Sequence, residues 1–124
     1  MNFLYQQKKS KYNNRKTVVD SITFDSRKEA MRFQELKILE KQGIIQNLEL
    51  QKRFVIVPKI NGIKGSRARH YVADFVYMEV SRTGEILKRV IEDVKSPITR
   101  KNPVYTLKKQ LVQWQYPQYE FREY

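Results

Sequence analysis

Tyr71-Val72-Ala73-Asp74-Phe75-Val76-Tyr77, followed by Val90-Ile91-Glu92-Asp93-Val94-Lys95, is the stretch on which the fold of this chain turns. Both segments are apolar runs of strand length, and Arg82-Thr83-Gly84-Glu85 between them supplies a turn. The pattern predicts strands over 70–80 and 86–95, paired antiparallel because the connection is short. Each strand carries an acid inside its apolar pattern. Side chains alternate along a strand, so Asp93 and Lys95 share one face and Glu92 takes the other. A bulge at that point would exchange Glu92 and Asp93. Asp74 falls on a face with Val72, Val76 and Met78, and Tyr71, Ala73, Phe75 and Tyr77 line the opposite one. A carboxylate on an apolar face is costly to bury unless it is paired, protonated or metal-bound. The plain alternative is an edge strand with Asp74 in water, and the apolar residues on both faces argue against it.

An aspartate on one strand and an Asp-x-Lys pair on its neighbour suit metal-dependent cleavage of a phosphodiester. Carboxylates hold the hard divalent cation, and a lysine steers or activates the attacking water beside the phosphate. Asp-x-Lys alone is also the pattern of an ordinary surface ion pair, and it gains meaning from the Asp74 strand at hairpin distance.

Charge points the same way. The chain of 124 residues has 25 Lys+Arg against 13 Asp+Glu, a net charge of +12 and a pI near 10.0. Such a surface favours a polyanion, nucleic acid before an acidic protein or an anionic membrane. With no cysteine, disulfides and thiolate zinc sites are excluded, and with His70 as the one histidine so is a multi-histidine metal site or a histidine-based triad. His70 itself reads as a surface residue at a strand end. No apolar run approaches the ~20 residues of a membrane span, and no signal peptide is evident. These features suit a cytoplasmic protein. The length allows one domain over 17–124, preceded by a flexible basic arm over 1–16.

Thr17-Val18-Val19 and Ile22-Thr23-Phe24 read as a short hairpin around Asp20-Ser21. Ser26-Arg27-Lys28-Glu29 is a capping-box pattern opening a helix that Gly43 stops, with Ala30, Phe33, Leu36 and Leu39 as its apolar stripe. Residues 44–57 are extended up to Pro58, and 59–69 form a loop with two glycines. Asn102-Pro103 starts a second helix, which Pro117 ends, with Val104, Leu107, Leu111 and Trp114 expected inward. Tyr119-Glu120-Phe121-Arg122 alternates as a last strand. The order after the hairpin is αβββαβ.

Glu29 has two competing uses: reaching back to its own helix start, or serving as a third carboxylate beside Asp74 and Asp93. Glu35 reads as solvated. No acid occurs from Ser96 to Tyr119, where Arg100, Lys101, Lys108 and Lys109 flank or ride the second helix. With Lys64, Arg67 and Arg69 of the loop they form a candidate DNA-binding rim, Lys108 the one expected to face the carboxylates. The eight tyrosines are read mainly as packing.

Phe24-Asp25-Ser26-Arg27-Lys28-Glu29-Ala30, Leu48-Glu49-Leu50-Gln51, Tyr71-Val72-Ala73-Asp74-Phe75 and Glu92-Asp93-Val94-Lys95 together resemble the PD-(D/E)XK nuclease superfamily, and within it small phage-borne endonuclease-like proteins. The resemblance runs from about Ile22 to the C-terminus. It implies a restriction-endonuclease-like α/β core, a mixed sheet flanked by two helices. Asp74 then fills the first acidic position, Asp93 the second and Lys95 the lysine, and Glu29 is the extra first-helix carboxylate. Ala73 stands where the superfamily's motif has proline. Gln51 is placed near the site without a role. The expectation is a DNA endonuclease using Mg²⁺ or Mn²⁺ on Asp74, Asp93 and Glu29, structure-selective or weakly sequence-specific. A junction resolvase-like homodimer is the sharper version. The rival expectation is a non-catalytic nucleic-acid-binding module on the same fold.

Overall fold

The computed structural model describes residues 15–124. Most of the basic arm expected over 1–16 therefore lies outside the described residues, and Arg15 and Lys16 at its end are exposed.

The hairpin forms as expected, β1 (Thr17–Val19) pairing antiparallel with β2 (Ile22–Phe24). Its two turn residues, Asp20 and Ser21, both take left-handed φ, 51° and 65°, which matches the right-handed twist of the flanking strands. α1 (Arg27–Lys41) starts at Ser26, whose hydroxyl accepts the Glu29 N–H at 3.1 Å. Three long strands follow, β3 (Ile45–Val57), β4 (Arg69–Val80) and β5 (Ile86–Asp93), then α2 (Pro97–Arg100), α3 (Pro103–Gln115) and β6 (Tyr119–Glu123). They form one mixed sheet in the order β3-β4-β5-β6, antiparallel until β6 joins β5 in parallel. The chain is a mixed α+β protein.

The core lies in two parts. One gathers Phe24, Ala30, Phe33 and Leu36 of the hairpin and α1 over Phe75, Tyr77 and Val90. The other gathers Tyr105 and Val112 of α3 over Phe54, Tyr71, Val76 and Ile91. Val90 and Ile91 are adjacent on β5 and belong to different parts, so α1 and α3 cover opposite faces of the sheet.

Four expectations need correction. The strand expected to reach residue 95 ends at Asp93, and Lys95 lies just beyond it. A short helix, α2, precedes α3, opened by Ser96 capping Thr99 N–H. Strand alternation skips at Asp74: Tyr71 and Ala73 pack on the α3 side, whereas Phe75 and Tyr77, expected on the same face, pack on the α1 side. On β3 the matching skip lies between Leu50 and Phe54, where Gln51 takes φ 54°. Finally, α3 is rotated by about one residue, roughly 100°. It buries Tyr105 and Val112 and leaves Val104, Leu107 and Trp114 exposed at 62%, 59% and 74%. Polar anchors set that rotation. Tyr105 Oη donates to Glu123 at 2.5 Å, Gln115 Nε2 to the Ile56 carbonyl at 2.6 Å and Tyr116 Oη to the Val55 carbonyl at 2.8 Å. Hydrophobicity alone does not register such anchors.

No helix among the described residues is long and apolar enough to cross a membrane.

Candidate functional site

The skip at Asp74 is what makes a site. It turns this carboxylate into the gap between the start of α1 and the end of β5, where three more candidate side chains arrive. Glu29 comes from the first turn of α1. Its carboxylate accepts from Gln51 Nε2 at 3.3 Å, while its backbone N–H is capped by Ser26. Of the two uses open to Glu29, the structure therefore places the side chain toward Asp74. Asp93 and Lys95 come from the end of β5. Lys95 Nζ stands 2.9 Å from Asp93 Oδ1 and 3.7 Å from Asp74 Oδ2. Asp74 also accepts the Val94 N–H at 2.9 Å and a long bond from Gln51 Nε2 at 3.4 Å. Glu29, Asp74, Asp93 and Lys95 are thus brought together as the sequence suggests.

Burial makes this arrangement costly. Asp93 is fully buried, and Glu29 and Asp74 are 5% and 9% exposed. One ammonium faces three carboxylates. Burial, then the nearby Asp74 and Asp25, push the Glu29 carboxyl up to about 8. Burial also raises Asp74 and Asp93, with Lys95 opposing the rise in both. For Lys95 burial works against the charge, yet Asp74 and Asp93 outweigh it and hold the amine above its ordinary value. Lys95 is therefore a fixed cation at neutral pH. One atom is left over: Asp93 Oδ2 is buried with no hydrogen-bond partner. Orphaned buried acceptors are rare in folded proteins and call for a specific reason.

Beside these groups opens a cavity of about 250 Å³, lined among others by Asp25, Ser26, Glu29, Asp74, Lys95 and Thr99. Asp93 is not on its wall and is reached through Lys95. Among the described residues the carboxylates are not gathered into a ready-made cation cage. Lys95 Nζ and Gln51 Nε2 bridge them instead, each touching two of the three.

Sequence reasoning missed Asp25 and Tyr105. Asp25, exposed on the cavity rim, immediately precedes the Ser26 cap, and that position was its only signal. Tyr105 packs its ring 5.3 Å from Lys95 Nζ, a placement that follows from the unforeseen rotation of α3. Gln51, left without a role, contacts both Glu29 and Asp74.

The candidate DNA-binding residues divide. Lys64 and Arg67 are exposed on the β3–β4 connection, Arg69 is exposed at the start of β4, and Arg100 and Lys101 are exposed around α2. Lys109 Nζ is engaged by Glu123 at 3.1 Å and is no free rim cation. Lys108 is half-buried, and the cation that meets the carboxylates is Lys95. His70 is half-buried at the start of β4. Glu92 lies on the opposite face from Asp93 with no bulge between them, fully buried and held by Arg32 and Tyr77. Glu35, half-exposed, pairs with the same arginine at 3.3 Å.

No curated protein and no solved structure matches this sequence. A family model described as "Protein of unknown function (DUF1064)" matches residues 9–122, nearly the whole chain, and the chain belongs to that family.

Proposed function

We propose that the chain is a Mg²⁺- or Mn²⁺-dependent DNA endonuclease built on a restriction-endonuclease-like core of the PD-(D/E)XK kind. The observation that carries this reading is the convergence of Glu29, Asp74 and Asp93 on the single cation Lys95, with Asp93 Oδ2 left unpartnered in the interior. Stability alone gives no reason to bury three acids around one amine. The sheet order, antiparallel through β5 with β6 added in parallel, agrees with that core.

The donor set fits a hard divalent cation: carboxylate oxygens only, one of them buried and free. Asp74, Asp93 and Glu29 would hold it. When bound, such an ion acidifies the attacking water and offsets the charge that gathers on the phosphate. The rest of the chemistry belongs to the chain. Lys95, kept protonated by its two aspartates, orients the water or stabilises developing phosphate charge instead of removing a proton. Glu29, its carboxyl pushed up to about 8 by burial and the nearby Asp74, must release its proton to hold the ion, which ties loading of the site to pH. Gln51 and the Tyr105 ring hold Glu29, Asp74 and Lys95 in place.

A domain of this size has little room for a separate sequence-reading element, so structure-selective or weakly specific cleavage is the form we favour, acting in the cytoplasm. A homodimer agrees with it. Val104, Leu107 and Trp114 leave apolar side chains exposed on the outer side of α3, while Leu111 packs partly on the core, and the three exposed residues are the surface a second copy would cover. Sedimentation of wild type against Leu107→Glu tests that surface, and a monomer at all concentrations removes it.

The activity is tested by cutting of labelled linear, flapped and four-way-junction DNA in Mg²⁺ and Mn²⁺, with Asp93→Ala and Lys95→Ala alongside. Metal-dependent cleavage lost in both variants is expected. Tight binding with no cutting of any substrate overturns the nuclease and leaves a DNA-binding module.

A further inference from the structure

The two longest strands, β3 and β4, run past the sheet into a connection with a composition of its own. From Leu50 to Ala73 there is no acid, while Lys52, Arg53, Lys59, Lys64, Arg67 and Arg69 are cations. The connection lacks regular structure but is firmly built. Ile60 N–H donates to Ser66 Oγ at 2.8 Å, and Ser66 N–H donates to the Ile63 carbonyl at 3.2 Å. Gly62 and Gly65, at φ 82° and 81°, make the corners this requires. The result is a stapled tip that presents Ile60 and Ile63 to solvent, 52% and 58% exposed, between exposed Lys59, Lys64 and Arg67.

A loop that only follows phosphates needs lysine, arginine and small polar residues. Two β-branched apolar side chains, stiff at χ1 and held outward by an ordered turn, fit a different task. Apolar wedges flanked by cations enter between base steps, while the cations grip the phosphates on either side. We propose that the β3–β4 tip is such a wedge, with Ile60 and Ile63 entering an opened base step at a DNA branch point and Lys59, Lys64 and Arg67 holding the adjoining backbone. An acid-free surface matches a polyanion, and insertion is easiest where stacking is already broken, which selects branched over continuous duplex. The proposal rests on the nuclease reading for its consequence. Six strand steps carry the chain from Gln51 at the carboxylates to Val57 at the base of the tip, roughly 20 Å at ~3.3 Å each, so the cut and the opened step fall at separate places along the DNA.

The test is the full-length chain in Ca²⁺, with duplex and flapped DNA carrying 2-aminopurine at the branch step. A severalfold rise in fluorescence is expected at saturation on flapped DNA. Ile60→Ser/Ile63→Ser should abolish it with melting temperature and salt dependence of binding unchanged, since both side chains are exposed. Lys64→Ala/Arg67→Ala should lower the salt slope by about two and keep the fluorescence rise at saturation. No rise with wild type, an equal rise in the isoleucine variant, or an isoleucine effect confined to anionic phosphatidylserine vesicles overturns the wedge. Cutting in Mg²⁺ is read separately. A fluorescence rise without cutting keeps the wedge and overturns the nuclease, and cutting of flapped DNA with no rise overturns the wedge alone.

Discussion

Glu92 and Asp93 are adjacent, both wholly buried, and treated in opposite ways by the fold. On the α1 side of the sheet, Glu92 receives Arg32 Nε at 2.6 Å, Arg32 Nη2 at 2.9 Å and Tyr77 Oη at 2.7 Å. Its charge is matched by one bidentate guanidinium, and neither oxygen lacks a donor. On the α3 side, Asp93 shares one ammonium with Asp74, and its second oxygen has no partner. Two neighbouring acids thus separate what the fold needs from what the proposed reaction would need. A satisfied buried charge fixes the position of α1 on the sheet. An unsatisfied one is a standing cost that a bound ligand can relieve.

The sharpest way to break this contrast is to neutralise each acid. Asp93→Asn should lower cleavage by about a hundred- to a thousandfold, the scale of losing a group that stabilises transition-state charge, with a melting temperature equal to or above wild type. Glu92→Ala should do the reverse. It strands Arg32 and the Tyr77 hydroxyl, costs about 3–5 kcal/mol in urea unfolding, and leaves activity per folded molecule within a few-fold. An Asp93→Asn protein that is strongly destabilised and still cuts would erase the distinction.

The pH dependence belongs to the cluster around Asp93 and Lys95 as well, through Glu29 of α1. Glu29 titrates near 8 in the folded chain against an ordinary 4.5. Between these values the folded state keeps a proton that the unfolded state has released. Its contribution to stability is complete below 4.5 and is lost as pH rises through 8, with a slope of at most about 1.4 kcal/mol per unit. Glu29→Gln should flatten that slope. Cation binding needs the carboxylate, so thermal stabilisation by Mn²⁺ should grow as pH approaches 8 in wild type and not in Glu29→Gln. Equal slopes in the two proteins would show that Glu29 does not carry the raised titration.

Much of this arrangement was legible. The Asp-x-Lys alternation put Asp93 and Lys95 on one side and Glu92 on the other, and the capping box put Glu29 in the first turn of a helix. Turn residues and two prolines marked the order of elements. Other features had no linear signal. The rotation of α3 is set by the hydroxyls of Tyr105 and Tyr116 and the amide of Gln115 finding acceptors on the sheet and on β6, which an apolar stripe does not encode. The skip at Asp74 depends on a glutamine in a conformation that favours glycine, and nothing in Leu50-Gln51-Lys52 announces it.

That glutamine supplies a smaller test. A non-glycine residue in the left-handed region costs on the order of 1–2 kcal/mol, and it persists here directly beside Glu29 and Asp74. Gln51→Gly relieves the backbone and removes the amide. Stability should be unchanged or higher, while cleavage falls about 10–100-fold, the usual range for a group that orients ligands. Lower stability with full activity would make Gln51 a structural residue and move it to the Glu92 side of the comparison.

The smallest expected effect lies where the two sides meet. Tyr124 is joined to the β5 end by its backbone, its N–H donating to the Asp93 carbonyl at 2.7 Å and its carbonyl accepting from Lys95 N–H at 3.3 Å. Its ring covers the other face, 4.1 Å from the Arg32 guanidinium. Tyr124→Ala keeps the backbone bonds and removes the ring together with its hydroxyl's exposed bond to Glu35 at 3.3 Å. If the division between the two acids holds, the loss is that of a part-exposed cation–π contact, about 0.5–1 kcal/mol in urea unfolding, with cleavage unchanged. The guanidinium keeps both bonds to Glu92, so a double variant with Glu92→Ala should lose less than the sum of the two singles. A drop in cleavage from Tyr124→Ala at full stability would mean that the ring reaches Asp93 through the strand, and that the sheet does not insulate one face from the other.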